Sequence, residues 1–212
     1  MRKWLVMLAV ALFVSSCGAH KPIIFQSTLD KFPIDATKNY LVWPYDSVGG
    51  DMAAVFCRVQ ASGVFQDCRH EDKNDINRLN FKVFDGLLGS YRTIFKNNDE
   101  YFLISYAEAT RTGEYAFVHG ESEIAQPRRI LRFGNSTFVG DFKPGAVTVI
   151  PYGWENRRSA AGIKRTVEAG LRQAFGPRAD VLTVEVARKV PINCTVKNLG
   201  FLKGTDTRCE LK

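Results

Sequence analysis

The chain has 212 residues, 45% of them apolar, and carries 29 Lys and Arg against 22 Asp and Glu, for a formal charge of +7. That length supports one substantial core, and the apolar fraction excludes general disorder. The basic excess is mild: it is compatible with anionic lipid headgroups or glycans as partners, but an ordinary solvated surface accounts for it equally.

Arg2 and Lys3 precede Trp4–Val14, an unbroken apolar run of eleven residues. A helix of that length spans about 16 Å, roughly half a bilayer core, so it is too short for a permanent anchor and fits a secretory signal. The run ends in Val14-Ser15-Ser16-Cys17, an aliphatic residue, two small ones and a cysteine, which resembles the lipobox of bacterial lipoproteins. The resemblance implies that residues 1–16 are a signal peptide, that the Cys17 sulfur carries diacylglycerol with palmitate-type acylation of the new amino group, and that this lipid holds the chain to the membrane. Gly18 stands where an aspartate commonly marks inner-membrane retention, which implies the outer membrane. The alternative is ordinary cleavage after Ala19, which would release a soluble periplasmic protein. Nucleic acid is not an expected partner in that compartment.

The cysteine count supports the same assignment. Five cysteines leave one unexplained in an exported protein. Giving Cys17 to lipid leaves Cys57, Cys68, Cys194 and Cys209 as disulfide candidates in an oxidising compartment. Several connectivities are open, and local pairing, Cys57–Cys68 and Cys194–Cys209, is the simplest. Zinc is the rival use of these sulfurs, but no Cys-x-x-Cys or His-rich spacing supports it, and no metal or other cofactor is expected.

Residues 17–38 read as lipid anchor and tether, with Pro22 and Pro33 interrupting any regular element and the chain joining the fold near Phe32–Ile34. Residues 39–212 read as one mainly β domain, an antiparallel β-sandwich, because short apolar runs alternate with turn residues. Tyr40–Trp43 is the first strand, closed by Pro44 and a turn over Ser47–Asp51. Met52–Gln60 and Gly63–Cys68 flank the Ala61-Ser62-Gly63 turn as a hairpin that a Cys57–Cys68 bridge would clamp. Leu79–Phe84 and the weaker Tyr91–Phe95 follow. Tyr101–Ala107, apolar almost throughout, reads as a central strand buried on both faces. Glu114–His119, Arg129–Phe133, Ser136–Phe142 and Ala146–Ile150 complete this set, with Gly134-Asn135 as a two-residue hairpin turn. Ala160, Ile163, Val167, Leu171 and Ala174 recur at helical spacing, predicting an amphipathic helix over about 157–175, capped by Asn156 or Ser159 and stopped by Gly176-Pro177. Val181–Val186 alternates as a strand, and Ile192–Cys209 reads as a disulfide-clamped terminal hairpin.

Two pieces of the β core carry a second resemblance. Thr112-Gly113-Glu114-Tyr115-Ala116-Phe117 is similar to strand starts, and Arg132–Phe142 to a later hairpin, in transthyretin-like β-sandwich domains of bacterial envelope lipoproteins. The resemblance implies a β-sandwich with aromatic residues packed inward and brings no catalytic residue.

Constellations for chemistry are sparse. His119 with Ser122 and a distant carboxylate is the one arrangement available for a hydrolase, but Gly120-Glu121-Ser122-Glu123 lacks the Gly-x-Ser-x-Gly elbow. His70-Glu71-Asp72 are adjacent and do not converge readily on one ion. Glu121 and Glu123 would need a second carboxylate at glycosidase spacing. The basic residues are better placed: Arg128, Arg129 and Arg132 around the hairpin, and Arg157, Arg158, Lys164, Arg165 and Arg172 around the helix, of which Arg157, Arg158, Lys164 and Arg165 are the anion-binding candidates. The expectation is therefore a non-enzymatic, lipid-anchored envelope component that engages a partner protein. A binding module for envelope glycan, lipid or small ligand comes second, and a hydrolase third.

Overall fold

The structure, a computed structural model, describes residues 22–45, 52–66, 68, 75–82, 84–85, 89–107, 109–122, 135–198 and 205–212. Among these the strands form a five-stranded sheet, a seven-stranded sheet and a small two-stranded ribbon. The expected mainly β architecture is present, as a sandwich of two sheets with one C-terminal helix packed on it and a disulfide-clamped terminal hairpin.

The five-stranded sheet is built around β1 (Tyr40–Pro44), which pairs antiparallel with β8 (Glu100–Tyr106) and parallel with β11 (Ala146–Val149). Its outer strands are β7 (Arg92–Asn97), beside β8, and β12 (Thr183–Val186), parallel to β11. Parallel neighbours cannot be joined by a tight turn. Here the crossover between β11 and β12 is the helix α2 (Ala160–Phe175), followed by a 3-10 turn over Gly176–Val181. Of the two expected caps Ser159 is the one used, so the helix begins at Ala160 rather than about 157: the Ser159 side chain accepts from the Gly162 N–H at 3.2 Å. It buries Ile163, Val167, Leu171 and Phe175, each contributing about 1.5–3 kcal/mol of apolar transfer. Gly170 lies on the same face because the helix comes so close to β7: a Cβ there would sit 2.9 Å from the Phe95 ring.

The seven-stranded sheet is antiparallel in the order β3 (Val64–Gln66), β14 (Thr205–Leu211), β13 (Arg188–Asn198), β10 (Ser136–Phe142), β9 (Gly113–Ser122), β2 (Met52–Arg58) and β4 (Arg78–Phe81). A ribbon of β5 (Phe84–Asp85) and β6 (Gly89–Ser90) precedes β7. The inner face presents Phe56, Phe81, Tyr115, Phe117, Phe138 and Phe142 to Leu41, Trp43 and Leu103 of the other sheet. The rings meet largely edge to face, as Phe56 does with Phe117 at 5.3 Å and with Phe142 at 5.1 Å.

Three readings change. The segment assigned to the tether through Lys38 carries a short helix, α1 (Gln26–Lys31), and Leu29 and Phe32 enter the core beneath α2. Pro22 and Pro33 flank this turn of helix and so do not prevent it. The Gly63 turn exists, with the Gln60 N–H donating to Val64 O, but β2 and β3 are not hydrogen-bonded partners. β3 pairs instead with β14, so the turn carries the chain across to the C-terminal strand. The two parallel pairs in the smaller sheet follow from the strand–helix–strand run at 146–186. Ser47–Asp51, Arg129–Phe133 and the Gly134 turn position lie outside the described residues.

Both locally paired disulfides form, Cys57–Cys68 with a sequence separation of 11 and Cys194–Cys209 with a separation of 15. The second joins directly opposed residues of the β13–β14 hairpin. Asn39, fully buried at the start of β1, closes the sandwich at one end: its Nδ2 donates to Arg111 O and Lys143 O, each at 3.0 Å, and its Oδ1 accepts from the Arg111 N–H.

Replacing Asn39 by alanine leaves those backbone groups without partners in a buried place, and is expected to cost about 2–3 kcal/mol. Urea denaturation measures it, and an unchanged midpoint would show that the end of the sandwich is held by other means. Joint Cys194→Ser and Cys209→Ser substitution is expected to lower stability by about 3 kcal/mol through the freed loop, also read from the denaturation midpoint.

Candidate functional site

Cys17 lies outside the described residues. The four other cysteines are consumed in the two disulfides, and among the described residues no group of three or more His, Cys, Asp or Glu could hold a metal ion. None of the described helices is long and apolar enough to cross a membrane.

The hydrolase candidates fall on β9 and its surroundings. Backbone pairing sets His119 opposite Val55, Glu121 opposite Ala53 and Ser122 opposite Met52. His70, Glu71, Asp72, Glu123, Arg128, Arg129 and Arg132 lie outside the described residues.

The helix-associated basic cluster is fully described, and its members separate by role. The Arg158 guanidinium grips Glu100, at the start of β8, in a two-pronged pair whose Nη1–Oε2 distance is 2.8 Å, and it stacks 4.8 Å from the Trp154 ring centre. The carboxylate raises the Arg158 pKa further above its ordinary value. Trp154 in turn packs edge-on to Phe102 of β8, so Arg158 ties the loop before α2 to the sheet. Lys164 lies 3.8 Å from Glu168 one turn on, an exposed pair of small value. Arg172 reaches Asp180 of the 3-10 turn at 3.5 Å.

Arg157 and Arg165 have no ion pair among the described residues. Arg165 and Arg158 line one open groove of about 530 Å³ with Gly162, Thr166 and the β7–β8 turn Asn97, Asn98, Asp99 and Glu100. Arg157 and Lys164 are outside it. The lining also carries the carboxylates of Asp99 and Glu100, which offset the arginines, so the groove is no uniform cradle for a polyanion.

A second region escapes sequence reasoning. Residues 22–25 and α1 run beside β7 as a strap, with open grooves on both sides of about 360 and 200 Å³. The strap is held by two polar anchors. Arg178 donates to Leu29 O at 3.0 Å and to Asp30 O and Phe32 O at 3.3 Å, satisfying carbonyls at the end of α1. The Tyr40 hydroxyl accepts from the Asp35 N–H at 2.8 Å and donates to Pro33 O at 2.9 Å. Burial pushes the Tyr40 phenol up to about 12. No sequence pattern announces these anchors, because both reach backbone carbonyls, which any residue could supply.

Because Arg158 serves packing, Arg158→Ala is expected to cost about 1 kcal/mol, from a partly exposed ion pair and a cation–π contact, while Arg157→Ala costs close to nothing. Thermal unfolding of the two variants side by side reads the difference; equal midpoints would remove the distinction.

No known protein family, curated protein or solved structure matches this chain.

Proposed function

We propose that this protein is a bacterial envelope lipoprotein, anchored through Cys17 in the outer membrane, whose β-sandwich acts as a non-catalytic interaction or assembly component. The observation that carries the proposal is the disposition of sulfur. Four of five cysteines pair with one another, which fits an oxidising compartment, and the remaining one stands in Val14-Ser15-Ser16-Cys17 directly after an apolar export-type run. Lipid attachment gives that odd cysteine a use other than a free reactive thiol.

The interaction role draws on what the charged side chains do. Arg158, Arg188, Lys189 and Arg178 are taken up by contacts that join elements of the fold. A second reading, a module for anionic envelope polymers, draws on Arg157 and Arg165, which have no ion pair among the described residues. In that case joint neutralisation of Arg157 and Arg165 weakens salt-sensitive binding to isolated sacculi or lipopolysaccharide. A saturable protein partner recovered by in-cell cross-linking, unaffected by those substitutions, favours the first reading.

Metabolic labelling with palmitate tests the anchor. The native chain is expected to take up label and sediment with membranes, whereas Cys17→Ser takes up none and accumulates at precursor mass. Equal labelling of both, or a native protein recovered wholly in the soluble periplasmic fraction, would sink the proposal.

A further inference from the structure

The strap presents bulky apolar side chains that the core does not use. Ile23 and Phe25 are 74% and 63% exposed, whereas Leu29 and Phe32, a turn or two further on, are 4% and 3% exposed. Scattered exposed apolar residues are ordinary on protein surfaces. These two differ in position and in support. They flank Ile24, which packs against the core, and lead into α1, whose end Arg178 and Tyr40 hold to the body of the fold, so their exposure is not that of a loose end. Ile23 also lies only six residues after Cys17. However the intervening chain runs, six residues reach at most on the order of 20 Å, less than the thickness of a bilayer core.

We propose that Ile23 and Phe25 rest in the interfacial region of the membrane that holds Cys17, so that the β7 edge of the domain is docked on the lipid surface rather than held clear of it. The proposal rests on the reading of Cys17 as lipid-anchored. The occupant of this face is a bilayer because the anchor brings one within reach: tethering makes the contact effectively intramolecular, and weak apolar contacts then suffice to orient the domain. Charge agrees with an anionic headgroup layer. Arg92 lines the smaller groove together with Ile23 and Phe25, and the exposed Lys31 ends α1; Lys96, also exposed, lines the groove on the other side of the strap. Asp30, the carboxylate of α1, accepts from Gln26 Nε2 at 2.9 Å on the helix surface.

The test uses the full lipidated protein in vesicles of phosphatidylethanolamine and phosphatidylglycerol, with or without brominated acyl chains. Phe25→Trp and Val196→Trp are compared, the latter at an apolar site 51% exposed on the terminal hairpin. Emission attributable to the Phe25→Trp probe, taken as the difference from the unsubstituted protein, is expected to shift blue and lose roughly half its intensity to the brominated chains. Emission from Val196→Trp stays solvent-like and unquenched, and adding Ile23→Asp to Phe25→Trp reduces the quenching. Phe25→Trp emission that remains solvent-like, in protein whose intact mass includes diacylglycerol, overturns the docking and leaves the anchor standing. A blue shift without bromine quenching, accompanied by cross-linked dimer, overturns it in favour of a second copy on this face. An intact mass without lipid overturns the anchor reading and this one with it.

Discussion

Burial of β1 on both faces is the constraint on which the architecture depends. Tyr40 and Val42 point to the helix side, Leu41 and Trp43 to the opposing sheet, and all four are at most 2% exposed. A strand in that position cannot satisfy its backbone from water, so it needs a hydrogen-bonded neighbour on each side. β8 supplies one and β11 the other, and because the next strand, β12, runs parallel to β11, the chain between those two must cross over. α2 is that crossover, and its apolar face closes the layer that β1 would otherwise expose. One doubly buried strand thus accounts for a mixed sheet, a helix laid on it and a second sheet packed behind.

The same strand reaches out to the N-terminal strap. Tyr40 is a core residue by its ring and a strap residue by its hydroxyl, and Phe32 packs between Tyr40, Tyr106 and Phe175. The phenol is neutral in the fold to about pH 12 because ionising it there would strand a charge among carbonyls. Its raised pKa leaves stability untouched below its ordinary value near 10 and erodes it as pH rises from there towards 12, where the unfolded chain gives up the proton more readily. Across neutral pH the strap is therefore held by a bond that does not titrate. On the proposed Cys17 anchor this matters, since the first described segment after it keeps one orientation relative to the domain.

Much of the fold was legible in the sequence because the relevant signals are local. A nearly continuous apolar run marks β8, alternation marks β12, three-and-four spacing marks α2, Ser159 is one of two marked starts for it, and short cysteine spacing marks both bridges. Three features were hidden, each for a physical reason. α1 is only a little over one turn long, too short for periodicity to show, and is stabilised by contacts at a sequence distance, Arg178 chief among them. The pairing of β3 with β14 joins opposite ends of the chain, and nothing in Val64–Gln66 names its partner. Ala160 shares the apolar spacing of α2 yet is exposed, while Gly170 and Phe175, which the spacing did not select, are buried. There the close approach to Phe95 decides, a property of two elements together. The helix-borne cations showed the same limit, since sequence gives their number and spacing but not what faces them.

That last point changes what the charge of the chain means. A formal excess of +7 suggests an anionic partner only if the cations are at liberty to meet one. Arg158 is held by Glu100, Arg188 by Glu114 at 2.6 Å, Lys189 by Glu155 at 3.1 Å, and Lys143 by Asp141 at 2.6 Å, while Arg178 is given over to carbonyls of the strap. All but Lys143–Asp141 join elements far apart in sequence, so their first effect is to fix the sandwich and its attachments. Glu155 illustrates it: although burial alone would raise its pKa, hydrogen bonds from the backbone and from Lys189 bring it below the ordinary carboxylate value. Arg157 and Arg165 stand outside such pairs among the described residues, and the strap exposes Ile23 and Phe25, close in sequence to Cys17. Formal charge alone is therefore a poor guide to a partner, and the exposed side chains of the strap argue for an outward contact there.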